Sequence, residues 1–312
     1  MPTRLLAARA TDLVLVVLGV SVVVFLLMRM IPGDAVAIML GANTEITPER
    51  LAALRARFGL DQPLLAQYLG WAGAALSGDL GTSLWTGRPV AEEIAAHAGV
   101  TLQLLAMSLA FGAALAVPAG CAMARVRGGA ADIALRVATI AGITVPSFWL
   151  GIVMILAAAS LAPWFPAVGH VPFAQDPIGN LQRMALPTLA LGLPILASLS
   201  RLVRTAMLDA LGQDYIRTAR AKGLAERRVV YRHALRNALL PVGITAGYLF
   251  GGAIVVEQGF ALPGIGRLVL GAISERNYPL VQATILMVTV GFVVVNFVVD
   301  MLYAAIDPRV RR

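Results

Sequence analysis

Apolar stretches long enough to cross a bilayer recur six times along this chain, and no other feature restricts its fold as strongly. A membrane-spanning helix needs about 20 mostly apolar residues. Such a helix also satisfies its own backbone hydrogen bonds, which lipid cannot do. The sequence therefore predicts an all-α polytopic membrane protein with six transmembrane helices. The six stretches lie near residues 10–31, 99–124, 132–162, 183–203, 241–258 and 281–305.

The composition agrees with a membrane protein. Hydrophobic residues make up 59% of the 312 residues and charged residues only 13%, values that a soluble domain of this length does not have. The first apolar stretch is too long for a cleaved signal peptide, and no small-residue cleavage site closes it. We expect it to remain as a membrane anchor.

The distribution of positive charge predicts the orientation. With both termini inside, 17 of the 25 Arg and Lys residues fall on cytoplasmic segments, and nine of these lie between Arg201 and Arg236. The other eight are spread over much longer outer segments. Because short cytoplasmic connections carry an excess of Arg and Lys, both termini are predicted to be cytoplasmic.

The segment between the first two spans, residues 33–98, is then extracytoplasmic. Its first helix is predicted from Thr47 as N-cap to Gly59, and a second helix begins at Gln62 or Pro63 and runs to the SGDLG turn. This insert separates the tail and first span (1–32) from a core of five helices (99–312). We interpret it as a small cap on the outer membrane face. The alternative is direct substrate contact, which would involve Asp79, Trp85 and Arg88.

Catalytic signatures are missing from the sequence. No GxxxxGK[ST] loop, HExxH or GxSxG motif occurs, so ATP hydrolysis by this chain itself is not expected. His97, His170 and His233 are assigned to different connections and cannot form one metal site. The lone Cys121, within an apolar run, is interpreted as a packing residue. We therefore predict neither an enzyme nor a metal or cofactor site.

Two acidic residues at or within spans, Glu257 and Asp300, are functional candidates because a charge in lipid is costly. Asp300 has an equally good interpretation as an interfacial residue. Glu257 opens the segment EQGFALPGIG, which we predict to be an outer re-entrant turn or short helix, since proline and glycines interrupt it. Closing the outer end of the bundle and gating it are equally good roles. The candidate residues are Glu257, Phe260, Pro263, Gly264 and Gly266.

A basic segment at residues 214–241 faces the cytoplasm in this topology. Helices are predicted over 214–222 and roughly 225–240, with Gly223 between them and Pro241 opening the next span. Glycine permits the left-handed backbone of such a corner. Aromatic residues are too few for a nucleic-acid surface, whereas attraction to anionic lipid explains the charge but not the glycine.

At this corner the sequence TARAKG resembles the cytoplasmic coupling loop of ABC importer permeases of the dipeptide and oligopeptide family. Ala219 and Gly223 occupy matching places, while Arg217 and Thr218 depart from the general importer motif. Further segments resemble the family in its order along nearly the whole chain. They are LDQPLLAQYLGW, SGDLGTSLWTGRPV, TVPSFWLGI, EQGFALPGIGRLVLGAI, RNYPLVQATILM and DMLYAAIDPRVRR.

The resemblance implies a fold like that of a type I ABC importer permease, of the first-permease type with a long external insert. It further implies a second permease subunit, two ATPase subunits that hold ATP and Mg, and an extracytoplasmic substrate-binding protein. The location implied is the bacterial inner membrane, and no cofactor is implied in this chain. The coupling loop is then 204–240. Its predicted ATPase contacts are Arg217, Thr218, Ala219, Arg220, Ala221, Lys222, Gly223 and Leu224.

Three alternatives to peptide import remain open at this point. Nickel permeases share the architecture, and a chelated metal would need no site of its own in the chain. A membrane enzyme would require acid, base or metal-binding residues at one depth, and the sequence offers no such set. A stand-alone channel would not need the glycine corner.

Overall fold

A computed structural model describes residues 3–30, 49, 56, 61–126, 128–223 and 249–306, and this part of the chain is almost entirely helical. The description therefore confirms the all-α fold class. The helices are α1 (Thr3–Met30), α2 (Leu64–Leu76), α3 (Val90–Arg125), α4 (Ala130–Thr144), α5 (Ser147–Leu161), α6 (Pro177–Leu211), α7 (Asp214–Ala221), α8 (Leu249–Gly259), α9 (Ile265–Ser274) and α10 (Tyr278–Ile306).

Four helices in the described ranges are long and apolar enough to cross a membrane: α1, α3, α6 and α10. They correspond to the first, second, fourth and sixth predicted spans. The fifth, 241–258, lies mostly outside the described residues, and α8 contains only its end.

The third predicted span, 132–162, is wrong as a single straight helix. It consists of α4 and α5, each 15 residues long, whose axes differ by 100°. Proline disfavours helical backbone in the residue before it. Val145, just before Pro146, accordingly has extended backbone with φ −75° and ψ 123°.

The second span begins earlier than predicted. Helix α3 starts at Val90 and has 36 residues, so the last part of the predicted insert 33–98 already belongs to this helix. Glu92 and Glu93 stand in its first turn, where carboxylates interact favourably with the helix dipole. The apolar pattern marks only the part of a helix that lies in lipid, so it missed this polar first section. The placement of His97 on a connection was wrong for the same reason.

The chain divides into two compact units. The first comprises Met1–Gly99 and Ile265–Val294, and the second comprises Val100–Gly264 and Val295–Arg312. Buried side chains of α3, α9 and α10 form a core in the first unit. They are Val90, Ile94, Ala272, Leu280, Val281 and Ala283.

In the second unit α3 and α6 pack closely through glycines. A Cβ at Gly112 would lie 2.7 Å from Ile195, and one at Gly120 would lie 2.7 Å from Val203. Residue numbers rise together along this contact, so the two helices run in the same direction. Small residues allow such close approach between membrane helices. The core around them includes Leu104, Met184, Leu199, Val256 and Phe260.

Candidate functional site: a cytoplasmic corner and a buried turn

The predicted corner at Gly223 has the backbone expected of it. Helix α7 ends at Ala221, the N–H of Lys222 donates to the carbonyl of Thr218 at 3.1 Å, and Gly223 has φ +76°. Apart from its neighbours in sequence, no described residue has an atom within 4 Å of a Cβ built on Gly223. Among the described residues, the glycine is therefore required by its left-handed backbone and not by crowding.

Helix α7 is fixed to the bundle through Ile216. This side chain is fully buried, in a cluster with Cys121 and Ala124 of α3 and Val203 and Met207 of α6. Cys121 is thus a buried packing residue, as interpreted from the sequence. On the other side of α7, Thr218 and Ala221 are exposed, as are the following Lys222 and Gly223. One face of the corner is anchored and the other is open to a partner.

A buried ion pair lies close to this anchor and was missed by the sequence reasoning. The Asp132 side chain, 2% exposed, accepts bonds from Arg204 of α6 at 3.1 Å and from Arg136 at 3.0 Å. The backbone N–H of Gly128 donates to the same carboxylate at 3.2 Å. The pair ties the start of α4 to α6 seven residues before α6 ends. An acidic residue at the edge of a predicted span was the signal that could have identified it.

Glu257 is also fully buried, at the end of α8. The Thr101 hydroxyl donates to its Oε1 at 2.6 Å, and its backbone carbonyl accepts from the N–H of Leu262 at 2.9 Å. A Cβ on Gly264 would overlap the Glu257 carboxylate. The chain thus folds back over the carboxylate, and the absence of a side chain at Gly264 makes that fold possible.

Phe260 and Leu262 fill the interior of this turn. Both are buried, and the ring of Phe260 lies against Gly151 of α5, where a Cβ would be 2.9 Å from Cε2. Its carbonyl accepts a bond from the N–H of Gly169. Pro263 is half-buried, and Gly266 is buried near the start of α9. Glu257, Phe260 and Gly264 therefore form one packed group, here called the buried turn (257–264).

The residues singled out in the insert have local partners. The Trp85 indole donates to the carbonyl of Glu275 at 2.8 Å, and Asp79 accepts from the N–H of Gly81 at 2.9 Å. Arg88 pairs with Glu92 at 3.6 Å on an exposed surface. These contacts describe a folded segment between α2 and α3, and substrate contact by these residues stays a prediction.

The described ranges contain no group of three or more His, Cys, Asp and Glu side chains able to hold a metal ion. His97 lies on α3 with Nδ1 2.7 Å from the carbonyl of Glu93. Burial, with a smaller effect from Arg183, lowers the pKa of His170. Asp300 lies in α10.

Several predicted features lie outside the described residues. They are the first insert helix from Thr47 to Gly59 apart from residues 49 and 56, Leu224, the helix over 225–240, His233 and Pro241. Arg217, Ala219 and Arg220 lie on α7 by their backbone.

A bundle of long apolar helices without a catalytic signature is typical of the membrane part of a transporter. Comparison with protein-family models is specific on this point. Residues 116–312 match the family "binding-protein-dependent transport system inner membrane component", and residues 2–105 match the N-terminal model of such membrane components. The chain belongs to this family of membrane transport subunits and is not an enzyme.

Individual relatives match over nearly the whole chain. A putative peptide transport system permease protein of Brucella melitensis is 39% identical over 100% of this chain and 99% of its own length. The glutathione transport system permease protein GsiC of Escherichia coli is 40% identical, covering 94% of both chains. The di/tripeptide transport system permease protein DppB of Pseudomonas aeruginosa is 38% identical, also covering 94% of both.

Proposed function

We propose that this chain is a permease subunit of a bacterial ABC importer for di- or oligopeptides. The three relatives described above are named for the transport of peptides, glutathione or di- and tripeptides. Glutathione is a tripeptide, so every one of these names describes the transport of peptides. Their similarity to this chain over almost its whole length supports the same substrate class here.

The remaining subunits follow from this proposal. A second permease subunit completes the translocation path, and an extracytoplasmic binding protein delivers the peptide. Two cytoplasmic ATPase subunits hold ATP and Mg, and this chain itself carries no cofactor. Both termini are cytoplasmic, because that orientation places nine Arg and Lys residues between Arg201 and Arg236 on the inner side of the membrane.

The cytoplasmic corner couples the chain to an ATPase subunit. The observation that carries this assignment is the pairing of an exposed Gly223 at φ +76° with a buried Ile216 seven residues earlier. A partner that grips the exposed side and moves would displace the ends of α3 and α6 with it, since Ile216 packs on both. Closure of the ATPase dimer thereby biases a two-state path between inward-facing and outward-facing forms. The buried turn closes the outer end of the path.

The test is peptide-stimulated ATP hydrolysis by the reconstituted transporter. Gly223→Val is compared with Gly223→Asn, because asparagine tolerates left-handed backbone and a β-branched residue does not. Both variants are first checked for equal assembly with the other subunits. We expect Gly223→Val to lose most of the stimulation, and retention of stimulation by Gly223→Asn would trace the requirement to the backbone conformation.

Loss in both variants would trace the requirement to close approach of the ATPase, which equally supports the coupling role. Full stimulation in Gly223→Val would overturn it. The same assay tests the substrate class: stimulation by di- and tripeptides is expected, and stimulation by nickel salts or chelates without any response to peptides would overturn peptide import.

A further inference from the structure

Helix α2 (Leu64–Leu76) combines two properties that rarely occur together in a helix surrounded by water. It contains no charged residue, and none of its side chains is buried by the rest of the chain. Three leucines on one side of the helix are exposed: Leu65, Leu69 and Leu76, with Leu65 69% exposed and Leu76 91% exposed. A helix that is apolar on all faces normally lies in a protein core or in lipid.

The opposite face of α2 is packed against the membrane-spanning helix α1. The rings of Tyr68 and Phe25 meet edge to face with centroids 5.4 Å apart, and the Tyr68 hydroxyl lies 2.9 Å from the hydroxyl of Ser21. Trp71 packs on the same Phe25 at 6.1 Å. The Tyr68 hydroxyl is therefore directed toward α1 and away from the leucine face.

These contacts place α2 at a definite depth. The apolar span of α1 runs from Thr11 to Met30. Phe25 lies five residues before Met30, which at 1.5 Å per residue is about 7 Å below that end of the span. Helices that lie in the membrane interface enter it by about 5–10 Å. Helix α2 thus lies beside the apolar span of α1 at this depth, where Leu26 and Leu27 are themselves exposed.

Arg29 supplies a further mark of the interface. Its guanidinium lies 3.8 Å over the ring of Phe25, and its Nε and Nη2 donate to Oε1 of Gln67 at 3.2 and 3.1 Å. Tyr, Trp and Arg side chains concentrate where hydrocarbon meets headgroups, because each has an apolar body and a polar end. Tyr68, Trp71 and Arg29 form such a group between α1 and α2.

The ends of α2 agree with a helix lying along the membrane plane. At about 20 Å, its 13 residues are too short to cross about 30 Å of hydrocarbon. Exposed Asp61 and Asp79 flank it on both sides. The helix ends in a turn in which Gly78 has φ +89° and the N–H groups of Gly78 and Asp79 donate to Ala75 and Ala74. Both ends therefore return to polar surroundings.

We infer that α2 is an interfacial membrane helix whose leucine face (Leu65, Leu69 and Leu76) is immersed in the acyl chains of the leaflet that contains the C-terminal end of α1. The occupant of this face is lipid. A soluble protein partner fits the face poorly, because the leucine face offers it no charged and no polar side chain. This helix would hold the insert against the bilayer surface and keep Ser77–Val90 near the membrane.

The test uses a fluorophore on single cysteines in the full transporter in nanodiscs. Cys121, the lone cysteine of this chain, is kept because its side chain is buried, and a transporter without an added cysteine measures any background labelling. NBD is attached at Leu69→Cys and, as a second position on the same face, at Leu65→Cys. Leu26→Cys on α1 is the lipid reference, and Arg88→Cys, at a 60% exposed side chain, is the water reference. Each labelled transporter is first checked for unchanged ATP hydrolysis.

Quenching by shallow spin-labelled lipids and by aqueous iodide is then measured. We expect positions 65 and 69 to be quenched by the lipids within twofold of position 26 and by iodide at least fivefold less than position 88. Quenching by iodide equal to that at position 88 would overturn the inference by placing the face in water. Protection from both quenchers would overturn it as well, since a protein partner would then cover the leucines.

Discussion

Ser83 and Asn277 are 194 residues apart in the sequence, and the amide of Asn277 donates to the Ser83 hydroxyl at 2.7 Å. The amide oxygen of Asn277 accepts a second bond from the backbone N–H of Leu84 at 3.2 Å. Both side chains are buried. One asparagine thus fixes the SGDLGTSLWTGRPV segment to the start of α10, and two segments quoted for the family resemblance prove to be partners in space.

We predict that Asn277→Ala destabilises this outer region. The substitution leaves the Ser83 hydroxyl and the Leu84 N–H without the partner they have here, and each buried group left unpaired costs about 1–3 kcal/mol. Ser83→Ala is the matched control, because it removes one of the two bonds of Asn277, together with the long 3.4 Å bond from the Thr86 N–H to the Ser83 hydroxyl, and keeps the bond to the Leu84 N–H. We expect the apparent Tm of the purified transporter to fall in both variants and to fall further in Asn277→Ala. Equal Tm values for Asn277→Ala and the unaltered chain would contradict this reading.

A second prediction concerns Glu257 and Gly264 in the buried turn. A methyl group at Gly264 would overlap the Glu257 carboxylate, so Gly264→Ala must displace the turn or the carboxylate. Overpacking of this kind costs about 1–3 kcal/mol. We expect Gly264→Ala to lower the Tm and the yield of assembled transporter.

The double variant Glu257→Ala/Gly264→Ala separates this clash from other effects. Removing the carboxylate makes room for the methyl group, so Gly264→Ala should cost much less in the Glu257→Ala background than in the unaltered chain. Thermal unfolding of all four proteins measures this coupling. Strict additivity of the two changes in Tm would show that the two residues do not interact as described.

The apolar periodicity was sufficient to predict the helical class, because lipid leaves the backbone few alternatives. The left-handed corner at Gly223 was predictable too, since glycine between two helical patterns has a specific conformational meaning. The 100° bend at Pro146 was signalled by the proline but was outweighed by the continuous hydrophobicity of residues 132–162. The start of α3 was not predicted, because its polar residues lack the apolar pattern of a membrane-spanning helix.

Contacts between polar side chains of different helices could not be predicted from the sequence, for a different reason. Asp132 meets Arg204 across 72 residues, and Thr101 meets Glu257 across 156. Nothing in a single sequence states which polar residues of different helices come together. Glu257 was identified as a candidate because an acid in a span is unusual, but its neighbours became clear only from the packing of α3 and α8.

The Asp132 carboxylate gives a third prediction. Its partners differ in environment: the Arg204 side chain is 17% exposed, whereas that of Arg136 is 49% exposed. Because about half of the Arg136 side chain is exposed, losing its pair should matter little. Arg136→Gln is therefore expected to leave the Tm nearly unchanged, while Asp132→Ala lowers it by removing the carboxylate that pairs with the largely buried Arg204.

The Tm of the isosteric variant Asp132→Asn should lie between those of Arg136→Gln and Asp132→Ala, because asparagine keeps an acceptor for Arg204 but removes the charge. A Tm order of Arg136→Gln above Asp132→Asn above Asp132→Ala, measured on transporters of equal composition, is the expected result. Equal losses from Arg136→Gln and Asp132→Ala would show that the exposed pair contributes as much as the buried one.

The final prediction tests the anchor of the cytoplasmic corner. Ile216 is fully buried among residues of α3 and α6, so shortening it should loosen α7 without altering the exposed side of that helix. Truncation of a buried isoleucine to alanine costs about 2–5 kcal/mol, and to valine about 0.5–1.5 kcal/mol. Hydrogen exchange of residues 214–221 should therefore accelerate slightly in Ile216→Val and strongly in Ile216→Ala.

If α7 transmits force through this anchor, peptide-stimulated ATP hydrolysis should fall in the same order while the ATPase subunits remain bound. Unchanged exchange in Ile216→Ala would show that α7 is held by other contacts, and faster exchange with full stimulation would separate the anchor from coupling.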